Sequence, residues 1–480
     1  MRTWFHAAAL VVTLLHGAAE AGQVPGRAAA PDIPVSARDR VYVAEQFSNT
    51  VSVIDPSRNE LVGQIRLGDP QPANLSPLYK GQLLVHGLGF SPDHKTLAVV
   101  SVGSNSVTLI DTATNAVKRT VYVGRSPHEA FFTPDGRELW VTVRGEDYVQ
   151  VLDGTTYAEK SRVTLAPGPG MQIFSPDGKY GFVCSSFTPE LAVIDAKTHK
   201  RVATVKQESP FCPNIAMAPE GDQVWLTLKD VGRTMVIDGQ PPFAVRKVLD
   251  TGPITNHVNL VRNANGRFAY VTVGGLNQVQ VYRADTFERV ASIPVGLLPH
   301  GIWPSGDGTR VYVGNENGDT VSVIDTLTNQ VVATIPIGQA AQALVYVPEA
   351  VPVDSHGMAN LQPLALAGQA AQLTLGPVGG PRASTVALFD QGITQVLQVS
   401  ATGLAPKQPY LLALAGDASG GGTLEPLARF TTNPTGAAIV DTVGPIRQVV
   451  HGEAGNSRRW LAIFEVDAQG APGKLAQIQQ

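Results

Sequence analysis

The sequence predicts an all-β protein, a seven-bladed β-propeller followed by a small C-terminal β-sandwich, and three observations carry that expectation. Nearly the same 21 residues are written three times, as "SNTVSVIDPSRNELVGQIRLG" at 48–68, "SNSVTLIDTATNAVKRTVYVG" at 104–124 and "GDTVSVIDTLTNQVVATIPIG" at 318–338. Self-similarity at a fixed period is the signature of a repeat architecture. Within each copy apolar residues alternate with polar ones, and Pro-Asp-Gly and Asp-Thr-x-Thr-Asn segments interrupt them, which is the pattern of short strands joined by turns. The 48 Gly and 35 Pro are dispersed between apolar runs rather than clustered, as many short strands require.

The first element is a leader. "MRTWFHAAALVVTLLHGAAEAG" has an early cation at Arg2, an apolar run from Ala7 to Leu15 and a small-x-small site at Ala19-Glu20-Ala21. It reads as a secretory signal peptide over 1–21. A membrane anchor is the rival reading, but spanning takes roughly 20 apolar residues, and His16 and Glu20 interrupt this run. The mature protein is therefore expected in the periplasm or secreted, without a membrane span. Its net charge of −4 is unchanged by removal of Arg2 and Glu20 together, and an acidic chain without a basic run gives no footprint for nucleic acid.

After a linker at 22–39, the blades occupy 40–350. Strands ending in Asp55, Asp111, Asp153, Asp195, Asp238, Arg283 and Asp325 recur mostly 42 to 45 residues apart, the blade period of a propeller built from four-stranded meanders. Six of these seven are Asp, at the bottom of the blades, and are expected to hydrogen-bond their own turns rather than to catalyse. The first unit lacks an innermost strand and the last is followed by a spare one, "QALVYVP" at 342–348. The spare strand is expected to complete blade 1 and leave no open sheet edge. These motifs resemble the YVTN-repeat (YncE-like) β-propellers over about two thirds of the chain. The resemblance implies the fold; it implies little about activity, because one propeller fold hosts many.

A linker at 351–360 precedes the last unit, 361–480, where "STVALFD", "TQVLQVSATGL", "PYLLALAG", "PLARFTTN" and "RWLAIFEVD" alternate between Gly and Pro turns. A β-sandwich is the natural reading. Its phrasing resembles the small sandwich domains attached to bacterial exported and anti-sigma proteins, and no function is placed on it.

Function in a propeller usually gathers where the first strands begin, at the mouth of the central channel. That position reads His86, His128, Gly170, Pro213, His257, His300 and Gln342. His86, His128 and His300 each stand eight residues before the turn position held by His94, Gly136 and Gly308. His257 stands nine before Gly266 and fits if its turn carries one extra residue; otherwise Val258 takes the place. Imidazoles converging on one mouth suit Cu or Zn; the competing reading has each imidazole bonded to a neighbouring blade's backbone. Cys184 and Cys212 are expected on adjacent blades at the same rim, with a disulfide first, buried thiols second and thiolate metal ligands third. The long loop at 69–84 brings Tyr79 and Lys80 toward the mouth, and the loops between second and third strands bring Glu45, Arg144, Glu146, Lys229, Asp230 and Glu316. Of these residues, Tyr79, Lys80, Arg144, Lys229, Glu316 and Gln342 form the candidate ligand-binding set.

No Gly-x-Ser-x-Gly, His-Glu-x-x-His or Cys-x-x-Cys is present. The expectation is a non-enzymatic binding or scaffold protein that uses this top face for a protein partner or small ligand. The alternative is a periplasmic copper or zinc protein, or a metal-dependent enzyme, with His86, His128, His257 and His300 as ligands. A lactonase-like hydrolase rests on fold analogy alone.

Overall fold

The computed structural model describes residues 34–68, 83–364, 370–390, 395–444 and 458–480. The signal-peptide segment and the loop bearing Tyr79 and Lys80 lie outside these residues. Seven four-stranded sheets and one eight-stranded sheet account for the architecture. Every blade is an antiparallel meander, and blades 2 to 7 begin at Val85, Pro127, Pro169, Ile215, Thr255 and Pro299.

Blade 1 is closed by both ends of the repeat region. Ala341–Val347 is its innermost strand and pairs with Arg40–Glu45, with Val41 opposite Tyr346 and Val43 opposite Leu344. Pairing the last strand with the first removes the edge that an open ring would expose. Buried polar groups lock the seam. Glu45 Oε1 accepts the Gly338 N–H at 2.8 Å, and its Oε2 accepts Gln64 Nε2 at 2.8 Å and the Thr50 hydroxyl.

Alternation in the sequence suggests strands buried on one face, but the three inner strands of a blade are buried on both. Thr50–Asp55 and Pro127–Phe132 have no exposed residue, whereas the outermost Val117–Tyr122 is exposed along almost its whole length. Neighbouring blades cover both faces of an inner strand, so its polar positions need partners inside the protein. Threonines of the second strands supply some of them. Thr142, Thr227 and Thr272 donate to the carbonyls of Gly170, Asn256 and His300 on the next blade, at 2.6, 2.5 and 2.7 Å. Aromatic residues fill the wedge between blades, as where Trp140 meets Phe174 at 5.0 Å between ring centres.

The bottom turns use the recurrent aspartates as the sequence suggests at five of the six positions. Asp55, Asp111, Asp153, Asp195 and Asp325 each accept from backbone N–H groups two or three residues on. Asp238 does not follow them; its carboxylate takes the Arg246 guanidinium instead. The turn that follows it, Gly-Gln-Pro-Pro, has no N–H at Pro241 or Pro242 to offer.

Beyond Val347 the chain climbs the outer wall of blade 1. Asn115 Nδ2 donates to the carbonyls of Gly357 and Ala359, and Gln362 pairs with Gln64. Gly63 makes this approach possible, since a Cβ there would lie 2.8 Å from Leu361 Cβ. The C-terminal domain has one continuous sheet, in the order Glu425–Thr431, Pro409–Ala415, Trp460–Val466, Pro472–Gln479, Ala371–Gly376, Ser384–Asp390, Gln395–Ala401 and Ala438–Gly444. Its two end strands approach each other, with Thr442 Oγ1 donating to the Leu427 carbonyl, so the sandwich is a nearly closed barrel around Leu388, Leu397, Leu412 and Ile463. No helix among the described residues is long and apolar enough to cross a membrane.

Candidate functional site

The C-terminal domain sits over the channel mouth. Phe47 packs against Phe389 with ring centres 4.5 Å apart and planes tilted by 45°, and Ile254 and Leu298 of the propeller bury Ala437 with Ile439 packed beside it. Beneath this clasp lies a cavity of about 580 Å³. The propeller contributes His86, His128, Arg144, Lys229, His300 and Glu316 to its wall, and the C-terminal domain contributes Asn433, Ala438 and Asp441. Phe211, Pro213, Asp230, Ile254 and Gln342 complete the propeller side.

Three of the four histidines occupy the expected ring. The rings of His86 and His128 lie 4.4 Å apart and those of His86 and His300 6.3 Å apart. His257 does not share this level. Its N–H is bonded to Thr272 Oγ1 as the Glu129 N–H is to Thr142 Oγ1, so His257 corresponds to Glu129, one residue deeper. Asn256 takes the ring position and donates to the Pro299 carbonyl at 2.7 Å. The cause is the turn: Val261 stands opposite Phe268 where Thr133 stands opposite Glu138, so six residues replace four and the strand is offset by two rather than one. Neither His257 nor Val258 is therefore the ring residue of blade 6. His257 instead lines the narrow channel below, with Glu129, Asn214 and Asn259, while its ring stays 4.6 Å from that of His300.

Burial sets the protonation of these groups. His86, His128 and His257 are held well below the usual histidine range, by loss of water first and then by Arg144 for His86, by His86 for His128 and by His300 for His257. His300 is pushed down to about 3, again chiefly by burial and then by Lys229. All four are neutral near pH 7. His300 Nδ1 lies 2.7 Å from the Gln342 carbonyl, which can only accept, so the proton sits on Nδ1 and Nε2 carries a lone pair. His300 thus makes the bond to a neighbouring blade that the structural reading of the motif expects. His86 and His128 make no such bond, and their Nδ1 atoms are buried without partners.

Charges of both signs line the cavity. Lys229, whose nitrogen lies 5.7 Å from the Phe211 ring centre, has its pKa lowered by burial while Glu316, Asp230 and Asp441 oppose that shift. The carboxyls respond in kind: burial raises Glu316 and Asp230, and pushes Asp441 up to about 6, with Glu316 adding to the rise. Gln398 of the C-terminal domain, opposite Asp441 in its sheet, partly offsets the rises of Glu316 and Asp441. Arg144, half-buried on blade 3, is shifted downward by burial alone.

The structure thus brings Arg144, Lys229, Glu316 and Gln342 to one cavity with His86, His128 and His300. Glu45 belongs to the blade 1 seam instead, and Glu146 turns outward to Arg125 at 3.5 Å. Cys184 and Cys212 are joined by a disulfide with Cα atoms 6.0 Å apart, tying blade 4 to blade 5 at the rim. Among the described residues no group of three or more His, Cys, Asp and Glu side chains is placed to hold a metal ion. Sequence reasoning missed Glu129, Asn256 and the whole roof. Glu129 was adjacent to a ring histidine and could have been found by reading one position further; nothing local marks Asn433 or Asp441 as facing the propeller.

Comparison with known proteins agrees with the architecture. No curated protein matches the chain. Among solved structures, a functionally unknown protein from Desulfotomaculum acetoxidans is 16% identical with a TM-score of 0.52, covering 64% of this chain and 98% of that one. Hydrazine synthase of Kuenenia stuttgartiensis is 21% identical (TM-score 0.49, 55% of this chain and 90% of that one). The dihydro-heme d1 dehydrogenase NirN is 14% identical (TM-score 0.48, 84% and 76%). The first of these supports the fold and nothing more. Residues 123–350, which hold blades 3 to 7 and the strand that closes blade 1, match the family model described as YncE-like beta-propeller, and the structure shows a propeller of seven blades in all.

Proposed function

We propose that the protein binds a small polar ligand in the cavity between the propeller mouth and the C-terminal domain. The observation that carries this reading is the roof. Asn433, Ala438 and Asp441 overhang His86, Arg144 and His300, so the mouth faces a roofed, partly open cleft of ligand size rather than a bare top face. The polar lining is divided between the two domains, which gives the C-terminal domain a role in completing the site.

A thermal-shift screen of the mature chain against a metabolite panel tests this, with Ala438→Phe as the control that fills the cavity. Compounds that stabilise the native protein should lose at least tenfold in affinity in the variant, whose own melting temperature should stay close to native. Binding that is indifferent to Ala438→Phe would place the ligand elsewhere and remove the proposal.

A second reading, Cu or Zn at the histidines, is favoured by the short spacing of the imidazole rings and by the Nε2 lone pair of His300. Metal-ligating imidazoles usually have their other nitrogen held by a carbonyl or carboxylate; His300 has this and His86 and His128 do not. Elemental analysis of untagged protein beside a His86→Ala/His300→Ala variant decides it: stoichiometric metal lost in the variant supports this reading, and none after reconstitution removes it. Export is part of the proposal, supported by the disulfide, which suits an oxidising compartment. N-terminal sequencing of the periplasmic protein should begin after Ala21.

A further inference from the structure

We infer that the ligand of this cavity carries an anionic group, a carboxylate or a phosphate-like oxyanion, seated on Arg144 beside His86 and His128. The inference rests on the binding reading above and narrows it to a chemical class.

Arg144 is a cation of the cavity wall on which, among the described residues, no carboxylate acts. Among the described residues no carboxylate lies within ion-pairing distance of its guanidinium and no carbonyl accepts from it, although it is half-buried on the cavity wall. A carboxylate was at hand: Glu146, two residues on, is engaged by Arg125 instead. A guanidinium is charged at any physiological pH and offers five donors in a planar fork suited to a carboxylate or phosphate. Holding it half-dehydrated with no partner is costly, and an anion would offset that cost.

The neighbours of Arg144 fit the same ligand. His86 and His128 are packed against each other and close enough to Arg144 to feel its charge. Their Nδ1 atoms are enclosed without partners, which leaves Nε2 of each ring as the nitrogen that can serve the cavity. With the proton on Nε2, two imidazole donors share the cavity wall with the guanidinium. The rest of the lining has a different character. Lys229 has Glu316, Asp230 and Asp441 near enough to counter its shift, though none pairs with it, and His300 presents a lone pair. Acceptors therefore dominate that part of the lining, so the part of the ligand that meets it donates hydrogen bonds. An anionic head with a hydroxyl- or amine-bearing tail satisfies both.

Two measurements on the full mature chain test this. Crystals of the native protein and of Arg144→Gln are soaked in sodium bromide, and the anomalous signal is mapped. Bromide is expected in contact with the Arg144 guanidinium and the His86 and His128 rings, and absent from that place in the variant. In parallel, acids from the metabolite panel are compared with their neutral amides. Acids should bind the native protein at least tenfold more tightly than the amides, Arg144→Gln should erase that preference, and Arg144→Lys should restore part of it. If panel compounds bind in an Ala438→Phe-sensitive manner but amides bind as well as acids, and Arg144→Gln changes nothing, the cavity is a binding site and the anion inference fails alone. If no compound is sensitive to Ala438→Phe and no bromide lies at Arg144, both readings fail.

Discussion

Asp319 shows how a single buried carboxyl can make the ring sensitive to pH. One oxygen accepts the Ala340 N–H at 3.1 Å and the other is buried without a partner. Burial pushes its pKa up to about 7, and the neighbouring Glu45 adds to the rise. An unfolded aspartate titrates near 3.9, so between about pH 4 and pH 7 the native state keeps a proton that the unfolded chain releases. The stability this group contributes is complete below about pH 4 and is lost as pH rises through 7. Asp319→Asn keeps an acceptor for Ala340 and cannot ionise. Urea denaturation should find its stability falling less steeply than native between pH 5 and pH 8, with the variant ahead at pH 8 by about 1–2 kcal/mol. Parallel curves would mean that Asp319 ionises normally. The remaining slope should come from Glu45, which burial also lifts to about 7. At this scale the sequence was readable where spacing to a turn was constant, as for His86, His128 and His300. It misplaced His257 because two extra turn residues change the register without leaving a mark on the strand's composition.

At the scale of the element, the strand pattern was the clearest signal and also the source of one error. Alternation in Thr-Val-Ser-Val-Ile-Asp identifies a strand, but the serine and threonine lie inside the protein because a second blade covers their face. The same covering makes links between blades important. Blade 5 begins with a strand of only three residues, Ile215–Met217, and the disulfide from Cys212 to Cys184 holds the segment just before it to blade 4. The bridge closes a span of 28 residues, and removing such a bridge costs about 2–4 kcal/mol. Cys184→Ala/Cys212→Ala should lower the denaturation midpoint accordingly, and the native protein unfolded under reducing conditions should match the variant. A native protein whose midpoint ignores reductant would show that the bridge adds nothing to this edge of the ring.

The arrangement of the whole molecule was the least legible part, because it depends on contacts between segments that no repeat encodes. Both domains could be delimited from periodicity and turns, yet their relation is set by the climb of residues 357–362 past Asn115 and Gly63 and by the clasp around Ala437. Those contacts turn a face expected to meet a protein partner or a small ligand into the floor of a roofed, partly open cavity. The clasp is small: Ile254, Leu298 and Ala437 are fully buried, with Ile439 beside them, and Phe47 against Phe389 forms a second point of attachment. Ala437→Asp would bury a carboxylate among aliphatic side chains with no cation in their cluster, and the least costly response is for the roof to lift, since each domain keeps its own core. Limited proteolysis should then cut the variant within 351–370 several-fold faster than native, while far-UV circular dichroism stays the same. The compounds that bind the native cavity should lose affinity in parallel with the rise in cleavage. Unchanged cleavage with unchanged binding would mean that the linker along blade 1 and the Phe47–Phe389 contact hold the roof unaided, and the clasp would then have no part in closing the site.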